Sequence, residues 1–180
     1  MDLAFMWDTL QRLLPGIPML FQLVTLSLAV GFALAVLVAM ARLSPVPPLA
    51  AAAQAYVFCF RGTPLLVQIF LIYYGLGQFE WVRESGLWPF LRQPYWCAIL
   101  AFTLNTGAYG SEIIRGGIQS VPWGQVEAAR VCGMSGALLM RRIVLPIARR
   151  QALPAYGNEM ILMVKATSLA STITLLEVTG

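Results

Sequence analysis

Residues 13–41 read LLPGIPMLFQLVTLSLAVGFALAVLVAMA, and none of them is Asp, Glu, Lys or Arg. A helix needs roughly 20 apolar residues in a row to cross the ~30 Å hydrocarbon core of a bilayer, so this stretch predicts a membrane span. Within it Gly31, Ala35 and Ala39 recur at every fourth position. That is either a small-residue stripe admitting a second helix at close range or ordinary small-residue composition. Upstream, Leu3, Met6, Trp7, Leu10 and Leu13 or Leu14 fall at helical spacing opposite Asp2, Asp8, Thr9, Gln11 and Arg12. The pattern predicts a short amphipathic helix over 2–14, lying on the membrane surface. A cleaved signal peptide would open on basic residues, and Asp2 stands there instead.

The composition extends this reading to the whole chain. Of 180 residues, 59% are hydrophobic and 11% charged, with a mean hydropathy of +0.74. Soluble domains carry about 45–50% apolar and ~25% charged residues, so lipid is the expected solvent and 1–180 a single transmembrane domain. Cys59, Cys97 and Cys132 stand singly, without metal-binding spacing, and no metal site is expected. There is no histidine, which removes the usual general base and the usual transition-metal ligand. The chain is therefore expected not to be an enzyme. Gly133, Met134, Ser135 and Gly136 do reproduce the GxSG form of rhomboid proteases, but that serine has no base of the required kind.

Arg42 and the run Ser44, Pro45, Val46, Pro47, Pro48 end the first span. A second apolar segment runs from near Ala50 to about Gln78, with an expected break at Gly62 and Pro64. Trp81, Trp88, Tyr95 and Trp96 cluster around the following loop, as aromatics do at a membrane interface. A third span is expected over roughly Tyr95 to Ile114. Its polar second half, with Asn105, Thr106, Tyr109, Ser111 and Glu112, should face protein or water. Residues 115–150 form the longest hydrophilic part, and a fourth apolar segment runs from about Leu153 to Leu176.

The expected fold is an all-α membrane protein, a polytopic bundle of four transmembrane helices plus the N-terminal interfacial helix. Eight of the twelve basic residues fall in 42–61 and 115–150. The positive-inside rule places those segments in the cytoplasm and the N-terminus in the periplasm. The net charge of +4 is accounted for by topology, and nucleic acid is not an expected partner.

The 115–150 loop contains Glu127, Ala128, Ala129, then Gly133 after three residues, then Ile143, Leu145 and Pro146. This resembles the E-A-A-x3-G-x9-I-x-L-P signature of ABC importer permeases at every position. The residue types suit a short docking helix. Ser120, Pro122 and Glu127 fit opening turns, Ala128 and Ala129 keep one flank slim, and Gly133 permits a sharp end. Leu138, Leu139, Ile143 and Leu145 offer an apolar stripe to hold the element against the bundle.

Further runs narrow the likeness: Arg61, Gly62, Thr63, Pro64 through Gln68; Tyr109 to Pro122; and Asn158, Glu159 through Lys165 and Thr167. Together they are similar to the polar amino-acid permeases of the histidine, arginine or octopine kind. The resemblance implies an ATP-driven importer of polar or basic amino acids or opines in the bacterial inner membrane, working by alternating access. Its implied partners are ABC ATPase subunits, a second permease subunit, identical or paralogous, and a periplasmic solute-binding protein. ATP and Mg would sit on the ATPase, since Lys165 is the one lysine and no GxxxxGK[ST] loop exists here. A passive channel lacking an energy source is the competing reading, and the coupling loop argues against it.

Family members usually carry five core helices, so a C-terminal helix is expected to be missing from this sequence, which is either truncated after Gly180 or a four-span protein whose transport competence is then in question. Glu159 lies ~13 Å along a helix from Arg150, near the midplane of the core. One reading has Glu159 take a solute's cationic group, with Asn158, Lys165 and Thr167 nearby. The other has both charges lock helices together, or Lys165 snorkel to the interface.

Overall fold

The computed structural model describes Trp7, Leu14 and residues 16–173, apart from the side chains of Ser171 and Thr172. Apart from Trp7 and Leu14, the surface helix expected over 2–14 lies outside the described residues, as does the end of the last apolar segment. Every regular element among the described residues is helical.

Helix α1, Gly16–Arg42, is apolar all round and buries Leu23, Ser27, Gly31, Ala35 and Ala39 in one line. That line packs on α6, Pro94–Gln119, in the most extensive helix contact of the fold. The approach is close enough that a Cβ added at Gly31 would lie 2.9 Å from Thr106 Cβ, and one at Gly110 would lie 2.9 Å from Ala35 Cβ. The small-residue stripe is thus a packing surface and not an accident of composition.

Helix α2, Pro47–Gly62, opens on two prolines, whose missing N–H groups cost nothing at the first helical positions. It ends where the sequence predicts. Pro64 cannot donate to the carbonyl of Phe60, and it forces Thr63 to φ −111°, ψ 141°. The chain then bends by 106° into α3, Leu65–Phe70, which continues through a wide π turn at Leu71–Gly75 and a 3-10 turn at Leu76–Gln78. Two single-turn helices follow, α4 at Glu80–Arg83 and α5 at Trp88–Leu91, and Trp81 stands 70% exposed in the first.

After α6 come α7, Trp123–Val131, and α8, Gly136–Leu139. A second π turn at Met140–Val144 leads into α9, Leu145–Ala166, which tightens to a 3-10 helix over Thr167–Ile173. Two boundaries correct the sequence reading. The third helix passes Ile114 and reaches Gln119, and the fourth begins at Leu145 and not near Leu153. Arginine is a good helix former, and a helix leaving lipid has no reason to stop at one. Much of the hydrophilic 115–150 segment is accordingly helical.

By length and apolarity, α1 qualifies as a membrane crossing on its own, and α2 with residues 65–78 qualifies as one broken crossing. Helices α6 and α9 have the length, at 26 and 22 residues, but carry polar groups. Those groups, Thr103, Thr106, Ser111 and Glu159, are buried against the bundle. The main core joins α1, α3, α6 and α9 through Leu23, Ile69, Cys97, Phe102 and Met163.

Candidate functional site

The helix break builds one wall of a cavity of about 440 Å³. Arg61, Gly62, Thr63 and Pro64 line it from the break, Asn105 and Tyr109 from α6, and Glu159, Leu162 and Met163 from α9. Irregular backbone inside a membrane bundle is tolerated where it faces protein or a water-filled space, and this break does so. The carbonyl that Pro64 leaves unpaired is recovered by a side chain. Gln68 Nε2 donates to Phe60 O at 2.7 Å and approaches Thr63 O at 3.0 Å and Thr63 Oγ1 at 2.9 Å. Gln68 is 5% exposed and lies behind the cavity wall.

Glu159 is buried, 9% exposed, and its carboxylate makes no hydrogen bond or ion pair among the described residues. The cation whose charge bears on it is Arg61, whose guanidinium sits 5.1 Å over the Tyr109 ring. Of the four path residues expected from sequence, Glu159 alone lines this cavity. Asn158 and Lys165 are exposed outside its lining, and Thr167 is buried with its hydroxyl donated to Val164 O at 2.7 Å. The six-residue spacing of Glu159 and Lys165 puts them on different faces of α9.

A neighbouring cavity of about 380 Å³ shares Arg61, Gly62 and Tyr109 and adds Arg42, Gln54 and Glu112. Glu112 pairs with Arg42 across to α1 and with Arg115 at 2.8 Å, one turn along α6. Glu112 is therefore an inter-helix charge, whereas Arg61 stands at a helix end with its ring contact and two cavities around it.

The second candidate region is α7 with its exit turn. Its Trp123–Glu127 and Trp123–Arg130 contacts run along the outside of the helix. Pro122 occupies the position before the helix, while Ser120 bonds back to Gly117 O and caps nothing on α7. The two alanines do not share a flank as expected. Ala129 is buried against Val126, Met134, Leu139 and Val144, and Ala128 faces out. Successive helical residues turn about 100°, so adjacent residues part company whenever one faces the body.

Gly133 ends α7 at φ +79°, with Gly133 N–H bonded to Arg130 O at 2.9 Å and Met134 N–H to Ala129 O at 3.0 Å. This double closure is the Schellman arrangement, and glycine meets its left-handed requirement without strain. Ile143 packs on the cluster, but Leu138 and Leu145 are 38% and 49% exposed, and Val144 takes the inward place expected of them. Pro146, which cannot bond back to Arg142, follows the π turn that relieves it. Sequence reasoning missed Trp123 and Val131, exposed at 63% and 89%. Their i, i+4, i+8 spacing with Glu127 was the available signal.

The chain is similar to known proteins over nearly its whole length. The family model for the binding-protein-dependent transport system inner membrane component matches residues 17–178. The chain is 59% identical over 179 residues to the octopine transport system permease protein of Rhizobium meliloti, covering 99% of this chain and 73% of that protein. It is 57% identical to the nopaline transport system permease protein of Agrobacterium fabrum, covering 100% of this chain and 75% of that one. A crystal structure of an amino acid ABC transporter with histidines superposes at a TM-score of 0.88, with 36% identity, over 99% of this chain and 79% of that chain.

Proposed function

This chain belongs to the family of binding-protein-dependent transport system inner membrane components, and from that premise we propose that its cavity carries arginine-like or opine solutes past Glu159. It is a permease component of an ABC import system, and that class resides in the inner membrane. Octopine and nopaline are conjugates of arginine, so a solute of this kind presents a guanidinium together with carboxylates. The observation that carries the reading is the buried Glu159 carboxylate, without a partner in the chain, in a cavity of about 440 Å³. A charge so placed is expensive unless a cation or water meets it, and a guanidinium supplies both charge and a fork of donors. Arg61, on the wall built by the helix break, is the counterpart for a solute carboxylate.

Energy enters from outside the chain. In this reading α7, centred on Glu127, docks on a separate ATPase that holds ATP and Mg. A second permease subunit, identical or paralogous, completes the pore, and a periplasmic binding protein delivers the solute. With the basic segments in the cytoplasm, α7 faces the ATPase and the N-terminus is periplasmic. The two cavities sharing Arg61 and Tyr109 suit alternating access, in which the solute site opens to one side at a time.

Uptake by the complete importer in proteoliposomes tests the proposal. Glu159→Gln should lower transport of a cationic solute by about tenfold or more, the worth of one charge-assisted hydrogen bond. Unchanged uptake overturns it.

A further inference from the structure

We infer that Gln68 is a positioning residue that decides which end of the Asn105 amide meets the solute. An amide side chain carries an acceptor oxygen and a donor nitrogen of nearly equal size, so its neighbours set its orientation. At Gln68 the choice is forced. Its nitrogen faces three oxygens, Phe60 O at 2.7 Å, Thr63 Oγ1 at 2.9 Å and Thr63 O at 3.0 Å. Two of these are carbonyls that cannot donate, so an oxygen in that place would be repelled.

The consequence passes across the bundle. Gln68 Oε1 must point away from the break, where it accepts from Asn105 Nδ2 of α6 at 3.1 Å. The Asn105 nitrogen is thereby committed. Its Oδ1 has no partner among the described residues and is left for the cavity that Asn105 lines together with Glu159. A proline that removes one N–H thus fixes, through two amides, an acceptor beside a carboxylate. Two acceptors favour a planar cation with several donors, a guanidinium, over a ureido group, whose carbonyl oxygen would oppose them. This inference rests on the reading of the Glu159 cavity as the solute site.

Equilibrium binding of arginine and citrulline to the purified permease–ATPase assembly tests it, because the two solutes differ in guanidinium against ureido. Gln68→Met should reduce the preference for arginine about tenfold. Adding Asn105→Asp to that variant should restore it, since both outer atoms of an aspartate are oxygens and need no orienting. An equal loss for both solutes, or no recovery with Asn105→Asp, overturns the inference. Should Gln68→Met fail to assemble, Asn105→Leu carries the test with the Gln68 bonds to Phe60 and Thr63 in place, and a retained preference for arginine overturns the inference. Glu159→Gln in the same assay separates the two claims. Intact arginine binding there overturns the cavity reading and this inference with it. Loss there, with preference unchanged in Gln68→Met and Asn105→Leu, overturns this inference alone.

Discussion

The indole Nε1 of Trp123 donates to the carboxylate of Glu127 at 2.7 Å, and the Arg130 guanidinium lies 5.4 Å over the same ring. Three side chains on one short helix therefore hold one another in place on its outer surface, with Val131 beside them at 89% exposure. Exposed aromatic and aliphatic anchors of this kind contribute most where a partner seals them. Val131→Asp or Trp123→Ala should weaken capture of the ATPase subunit by about tenfold or more, the usual effect of losing an interface anchor. Titrated pull-down measures it, and equal affinity in both variants refutes the docking face.

Gly116 and Gly117 are neighbours with opposite expectations. A Cβ at Gly117 would stand 2.8 Å from the Ala148 carbonyl oxygen and 3.1 Å from Ala152 Cβ, whereas nothing lies within 4 Å at Gly116. Backbone cannot rotate aside, so Gly117→Ala should cost about 1–3 kcal/mol by overpacking α6 against α9. Gly116→Ala should be neutral or gain up to about 1 kcal/mol from helix propensity. Thermal aggregation midpoints in detergent compare the two.

Gly133 is limited by backbone and not by space. At φ +79° with no neighbour within 4 Å, an alanine meets no clash but takes on the left-handed penalty of about 1–2 kcal/mol. Gly133→Asn should cost less, because asparagine tolerates that region. The same midpoint measurement ranks the three side chains, and Ala equal to Gly contradicts it.

What could be read from the sequence follows from how local each determinant is. The first span, the stop at Pro64 and the turn at Gly133 depend on chain-neighbour chemistry, and each appears where expected. Apart from Trp7 and Leu14, the interfacial helix over 2–14 lies outside the described residues. The partition of Ala128 from Ala129, and the absence of Asn158 and Thr167 from the cavity, depend on which way a helix is rotated against its neighbours. In α7 the apolar Trp123 and Val131 lie on the exposed flank, and in α9 Leu153 and Ile161 do the same, so apolarity does not mark the inward face and the sequence left those orientations open. The role of Gln68 was hidden for another reason: its partners, Phe60 and Asn105, meet it only after the 106° bend.

Glu112 stands between two cations, its side chain 18% exposed and that of Arg42 11%. Glu112→Gln leaves Arg42 and Arg115 facing each other without a countercharge. It should destabilise the bundle by about 2 kcal/mol or more, toward the range for breaking a buried pair. Arg115→Gln should cost less, because Arg115 is 28% exposed and the Arg42 pair survives. A reversed order in thermal midpoints counts against this account.

The π turn over Met140–Val144 holds one residue more than an ordinary α-helical turn. A wide turn of this kind absorbs its surplus residue locally, so the helices on either side keep the rotation they would have without it. Deleting Ile143 alone would return the turn to ordinary α-helical spacing and leave the carboxylate of Glu159 in step with the α7 face. The seam is where the chain takes up one extra link without disturbing the alignment of its two ends, as a single fold takes up slack in a rope.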